Sequence, residues 1–284
     1  LDRLKSKQNQ VIFGRRGYGK SLLLKSLKNL NTDSTTSISI NLEDYKDISF
    51  PNSISHVLIN ILKSIKKNIK GKYKIWHFKK WKNQLEILKS IDKQISQLEK
   101  KINEPDSYSE KIREKSASKT SGKLGSGLNK SQAEIATEIA DEFETSREIL
   151  KDKLNELKNE ISNFKELINS ISSFTNQDIF LILDDLYFIR KNEQPFFIDF
   201  FHRISKNTRL YLKIATIKQR SSLYLQTDTF IGVEIGHDIQ SLSLDYTLED
   251  FNNLVVFMKQ LLNHINQKVD VNIDYSNVLT DNAF

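Results

Sequence analysis

Cysteine is absent from the 284 residues. That excludes disulfides, thiolate catalysis and cysteine-based zinc sites, and it suits a reducing, cytoplasmic setting. The five histidines are scattered, with no pair at metal-ligand spacing. No apolar run approaches the roughly 20 residues of a bilayer-spanning helix, so no membrane association is expected. The opening Leu1-Asp2-Arg3-Leu4-Lys5 lacks the apolar core of a signal peptide, and residue 1 is not Met, so the natural chain is expected to begin upstream. Acidic residues are missing from Lys63 to Lys82, a stretch that holds nine lysines.

What is present is enough for one large domain with an elaboration, or for two smaller ones. Apolar residues make up 38% of the chain, which can build a core, and much of the charge is concentrated centrally. The net charge of +7 permits an anionic partner, but its distribution matters more than its sum. Four segments read as buried strands: 10–13, 37–42, 178–183 and 210–216, with 230–235 as a fifth candidate. Helical patterns at 21–30, 55–69 and 194–204 separate them, so the expected fold is α/β: a parallel sheet flanked by helices.

Residues 72–170 interrupt this rhythm. Leu88, Ile91, Ile95, Leu98 and Ile102 form one heptad seam; Leu150, Leu154, Leu157, Ile161, Phe164 and Ile168 form another. A polar stretch rich in Ser, Lys and Gly separates them, as in a helical-hairpin, coiled-coil insertion with a short stalk. The pattern turns helical again after Gly236, with Thr247 as a candidate N-cap, so 241–284 is expected to begin a helical lid. The expected division is therefore 1–71 and 171–240 for the core, 72–170 for the insertion and 241–284 for the lid.

The most specific motif is Gly14-Arg15-Arg16-Gly17-Tyr18-Gly19-Lys20-Ser21, a P-loop pattern with a strand before it and a helix after it. Gly14, Gly17 and Gly19 let the backbone curl so that N–H groups face phosphate oxygens. Lys20 places a charge on the β and γ phosphates, and Ser21 offers a hydroxyl to Mg²⁺. The helix start directs its positive end at the same anion. Arg15 and Arg16 either touch phosphate or a neighbouring subunit, or are solvated.

A second buried strand ends in Asp184, placed to help hold Mg²⁺, and Asp185, placed to orient or deprotonate a water. Thr216 ends the next strand, where a hydroxyl can sense the γ phosphate; it can equally be an ordinary strand end. Arg220 follows, either as an arginine finger acting on a neighbour or as a surface residue.

These segments resemble the Walker A, Walker B and sensor-1 segments of the AAA+ superfamily: 14–21, Leu183-Asp184-Asp185 and Leu212-Lys213-Ile214-Ala215-Thr216. The likeness is to its bacterial origin-recognition-complex-like branch and the related STAND signalling ATPases. It covers about residues 9–71 and 171–260, including 184–189, 191–195, Phe201-His202-Arg203 and a lid-like Leu244-Asp245-Tyr246-Thr247-Leu248-Glu249-Asp250. The resemblance implies an ATP- and Mg²⁺-dependent ATPase of slow turnover, acting as a molecular switch on assembly or on a protein effector. It implies a homo- or hetero-oligomer, and some bacterial members act in defence against phage. No arginine follows Arg220, so the lid arginine often used as a second sensor is missing from the sequence given.

Alternatives remain open. An ABC- or SMC-like coiled-coil ATPase needs a Leu-Ser-Gly-Gly signature, and Leu124-Gly125-Ser126-Gly127-Leu128 matches it poorly and lies between the seams. A scaffold can bind ATP without turnover. A nucleotide-gated DNA-binding protein would use Lys63–Lys82, where Tyr73, Trp76, Phe78 and Trp81 interleave with lysines. Those aromatics can instead pack the base of the hairpin.

Overall fold

A strand turns alternate side chains to opposite faces, and residues 179–183 are apolar at every position, so that strand must be covered on both sides. The computed structural model describes residues 2–28, 34–70, 77–103, 153–226, 230–245, 256, 259–264 and 266. It places β1 (Gln10–Phe13), β2 (Thr35–Asn41), β3 (Asp178–Asp184) and β4 (Leu210–Thr216) in one parallel sheet. A separate antiparallel hairpin follows, β5 (Tyr224–Gln226) with β6 (Phe230–Gly232). Then β7 (Gln240–Ser243) returns to the sheet beside β1, giving the order β2-β3-β4-β1-β7. The fold is α/β, with a parallel five-stranded sheet flanked by helices, as the sequence leads one to expect.

The helices are α1 (Lys20–Lys28), α2 (Asn52–Ile69), α3 (Phe78–Asn103), α4 (Ile161–Thr175) and α5 (Gln194–Ser205). Alternation sorts them onto two faces. Val11, Phe13, Ile38, Ile40, Leu181, Leu183, Leu212 and Ile214 share a core with the apolar residues of α2 to α5. Ile12, Phe180, Ile182 and Ala215 point the other way, onto Leu24 and Leu27 of α1 and onto Leu4. In α2, Ile54, Leu58, Leu62, Ile65 and Ile69 recur at steps of three and four and are all buried. Helix α5 carries Pro195 in its first turn, where a missing N–H costs nothing. Its Phe197, Phe200 and Phe201 are almost wholly buried, so truncating any of them to Ala costs about 3–5 kcal/mol.

Two expectations need correction. The fifth strand of the sheet is β7, not the 230–235 candidate, whose first residues form the hairpin instead. Gln240-Ser241-Leu242-Ser243 is polar and lies at a sheet edge, so it carries no apolar signal. Residues 241–243 therefore belong to the sheet and not to a lid; residues 246–255, with Thr247, lie outside the described residues. The seams behave differently from a free stalk over their described length. Ile91, Ile95 and Leu98 on α3, and Leu154, Leu157, Ile161, Phe164 and Ile168, are buried in the same cluster as the sheet's helical face. A turn at Glu160 breaks the second seam between helical residues 153–159 and α4, and Lys101 pairs with Glu160 across the hairpin at 3.2 Å. Leu150 and the polar middle lie outside the described residues.

Charged groups tie down the opposite end of the sheet. Lys213, in the middle of β4 and fully buried, donates to Ser6 O (2.8 Å), Gln8 O (3.0 Å) and Gln10 Oε1 (2.7 Å). Burial pulls its ammonium down to about 7, against three oxygens that each favour the charged form. Asp178, at the start of β3, accepts from Arg209 Nε at 2.7 Å and pairs with Lys7 Nζ at 2.8 Å. Burial would raise its pKa, but the bonds from Arg209 and Lys7 together outweigh it and hold the carboxyl below its usual range. A lowered folded pKa gives stabilisation that is complete above the unfolded value near pH 4 and is lost as pH falls through the folded value. Asp178→Asn should lower the melting temperature at pH 7 by about 3–6 °C. That gap should close as the pH is taken below about 4; a gap that stays constant with pH would show that the ion pairs contribute nothing.

Candidate functional site

All five strands of the sheet run in parallel, so their C-terminal ends share one edge, where open α/β sheets place their ligands. The residues singled out by sequence sit there. Phe13 ends β1 and passes into the glycine loop; Asp184 ends β3; Thr216 ends β4; Ser243 ends β7 and leads to Asp245. Strand β4 lies between β1 and β3. The loop and the acidic strand end are thus two strand spacings apart, roughly 10 Å, which is room for a phosphate chain rather than for a direct ion pair.

The loop is held from both neighbouring strands. Gly14 N–H donates to Thr216 O at 3.2 Å, and Leu244 N–H donates to Phe13 O at 2.8 Å. The Arg15 N–H donates to Asp245 Oδ1 at 2.8 Å. Gly17 (φ 87°) and Gly19 (φ 79°) take left-handed backbone, which other residues adopt only with strain. This is the curl that turns consecutive amides toward an anion. Lys20 is buried, and its ammonium donates to Gly14 O (2.7 Å) and Arg15 O (2.9 Å), so the charge sits under the loop. Lys20 and Ser21 open α1, where the unpaired amides and the helix dipole add positive potential.

A pocket of about 320 Å³ opens at this edge, lined by Arg16, Gly17, Gly19, Lys20, Ser21, Leu22, Glu43, Asp185, Tyr187 and Phe188. A larger groove of about 760 Å³ lies between α3 and α4, but its polar lining is mostly amides and hydroxyls, such as Asn83, Gln94, Asn163 and Ser170. The smaller pocket holds the chemistry. It brings together the loop cations with Asp185 and with Glu43, a carboxylate for which sequence reasoning offered no signal. Arg15 and Tyr18 are exposed on the loop and lie outside the pocket lining.

Asp184 stands in register with Asn41 of the neighbouring strand. Its Oδ1 is buried without a hydrogen-bond partner among the described residues, which is costly unless a ligand completes it. Asp185 has φ 58° and ψ 48°, left-handed backbone for a residue with a side chain. Burial first, then the Asp184 charge, raises its carboxyl pKa; Lys20 and a hydrogen bond from Tyr187 pull the other way. Thr216 is fully buried with its hydroxyl paired to that of Ser221, and it does not line the pocket. Arg220 is exposed, with its guanidinium 5.9 Å over the Tyr187 ring; it too stands outside the pocket lining.

Among the described residues no group of three or more His, Asp or Glu side chains converges on one point. Magnesium in a phosphate site does not need one: it takes one or two protein oxygens and completes its shell with phosphates and water. The Ser21 hydroxyl and the unpaired Asp184 carboxylate oxygen fit that requirement. No described helix is long and apolar enough to cross a membrane. Comparison with known proteins gives no match among family models and none among curated sequences.

The left-handed turn at Asp185 can be tested apart from any chemistry. Asn adopts this conformation readily and a β-branched residue does not. Asp185→Asn should leave the denaturation midpoint near wild type, whereas Asp185→Val should cost about 1–2 kcal/mol; equal midpoints in urea would mean that the turn relaxes freely.

Proposed function

We propose that this chain is an ATP-binding, ATP-hydrolysing molecular switch of AAA+ type, acting with Mg²⁺ on its own assembly or on a partner effector. The observation that carries the reading is the bipolar pocket: a glycine loop with Lys20 and Ser21 on one side and Asp185 on the other, with the unpaired Asp184 carboxylate oxygen at the adjoining strand end, outside the lining. Lys20 and the α1 amides would bind the triphosphate. Asp184 and Ser21 would hold Mg²⁺, which when bound offsets phosphate charge. Asp185, with a carboxyl pushed up by burial, would orient the attacking water and take its proton. Thr216 joins β4 to the loop through its backbone, which supports a positioning role for it at the loop's base. Arg220, facing Tyr187 from outside, suits contact with a neighbouring molecule better than with its own pocket. The switch, its oligomeric partners and a part in anti-phage defence rest on the resemblance alone.

The test is a set of three variants. Lys20→Ala should abolish MgATP binding, together with the rise in melting temperature that a bound ligand confers, while leaving the fold intact. Asp184→Asn should weaken only the Mg²⁺-dependent part of binding. Asp185→Asn should bind MgATP and fail to release phosphate. Unchanged affinity in Lys20→Ala would end the nucleotide reading. Wild type that binds MgATP but releases no phosphate, with its partners present, would leave a scaffold.

A second reading, a nucleotide-gated nucleic-acid-binding protein, is favoured by one feature. At the start of α3, Phe78 is 66% exposed beside Trp81, its ring centroid 6.1 Å from Trp81's, with Lys79 and Lys82 exposed around them. Lys63 and Lys66 do not contribute, because they pair with Glu99 and Asp92 of α3. If a single-stranded oligonucleotide binds here, Lys79→Glu with Lys82→Glu should weaken it and flatten its dependence on salt. Binding that is unaffected by this pair of changes would place the contact elsewhere.

A further inference from the structure

We infer that Glu43 is a second catalytic carboxylate of this pocket, sharing with Asp185 the water that attacks the γ phosphate. The inference rests on the ATPase reading above and adds to it a residue from a different strand. Glu43 follows β2, in the short 3₁₀ turn Leu42–Tyr45, and the turn is fixed in place. Asn41 caps it by accepting the Glu43 N–H on its side-chain oxygen at 3.2 Å, and Leu42 and Tyr45 anchor it in the core. Asn41 is itself in register with Asp184. The backbone of Glu43 is therefore indexed to the acidic strand end, and its side chain lines the same pocket as Asp185, Tyr187, Lys20 and Ser21.

Glu43 serves none of the simpler purposes. Its carboxylate has no ion-pair partner among the described residues, and Asn41 holds only its backbone N–H. It joins no convergent group of metal-binding side chains. The chemistry gives such a residue a task. Asp185 is held by a left-handed backbone and a short side chain, so its carboxylate has little reach. Glu43 is one methylene longer, is exposed, and approaches from the β2 side. Two carboxylates on neighbouring strand ends, both lining one pocket, can accept both hydrogens of one water and aim its lone pair. In the step itself the water oxygen bonds to the γ phosphorus as the bond from that phosphorus to the β,γ-bridging oxygen breaks. The bridging oxygen leaves with its electron pair on ADP, one water proton passes to a carboxylate, and inorganic phosphate is the second product.

The experiment measures MgATP affinity, phosphate release at saturating MgATP and melting temperature for the full chain and for Glu43→Gln, Glu43→Asp, Asp185→Asn and Lys20→Ala. Glu43→Gln should lower kcat about 100-fold, with affinity and melting temperature as in wild type, and Glu43→Asp should recover part of the loss. Turnover within twofold of wild type in Glu43→Gln, while Asp185→Asn is inactive, would overturn the role of Glu43 and leave the ATPase reading standing. Loss of turnover in Glu43→Gln with Asp185→Asn still active would support Glu43 and remove Asp185 from the water. Lost affinity in Glu43→Gln would make it a binding residue and overturn the proposal. Wild type without turnover, or Lys20→Ala with unchanged affinity, would overturn the ATPase reading and the proposal with it.

Discussion

Strand β4 between β1 and β3 is the spacer on which the site depends. It pairs with both neighbours, Gln10 opposite Lys213 on one side and Ile179 opposite Leu210 on the other. The glycine loop and Asp184 are thereby fixed at one edge and kept two strands apart. Were β3 directly beside β1, Lys20 would meet the Asp184 carboxylate and the two charges would cancel. With β4 interposed, Lys20 turns to the loop's own carbonyls and Asp184 keeps an oxygen unpaired. The interior of β4 serves the same end. Leu212 and Ile214 are buried under the large helical face, and Lys213 straps the segment before β1 to the other. Register errors in β4 would therefore disturb both halves of the site at once.

The glycine loop was legible in the sequence because left-handed turns restrict residue types at fixed spacing. The flanking strand and helix are strongly patterned. Asp184 and Asp185 were legible for a related reason, since an acidic pair closing a wholly apolar strand stands out. The interior strands carried the same signal, being apolar at nearly every position.

Other features left no such mark. Strand β7 is polar because it is an edge with one paired side, and what recruits it is the backbone of β1. Glu43 is a lone acid in a short turn, and only the pairing of β2 with β3 brings it beside Asp185. The left-handed turn at Asp185 is a backbone property that a sequence of aspartates does not announce. Heptad spacing placed the apolar residues of α3 and of 154–168 correctly on one face, but spacing does not say which surface that face meets. Here they merge with the core that α2 and α5 build on the sheet.

The charge layout of the pocket bears on what can fill it. Its lining holds two cationic side chains, Arg16 and Lys20, and two carboxylates, Glu43 and Asp185, with Asp184 behind them. The signs are not mixed: the cations come from the β1 loop and α1, the carboxylates from the ends of β2 and β3. A bare anion would gain on the loop side and be repelled on the other, and a bare cation would meet the reverse. Opposed charges held roughly 10 Å apart are too distant to pair directly, so each is costly to leave partly buried without something between them. A ligand that is itself bipolar, with phosphate oxygens toward the loop and a divalent cation and water toward the carboxylates, satisfies both walls at once. On the proposed ATPase reading, the selectivity of the site would reside in the pair of phosphate and metal, and neither wall alone would bind either component tightly.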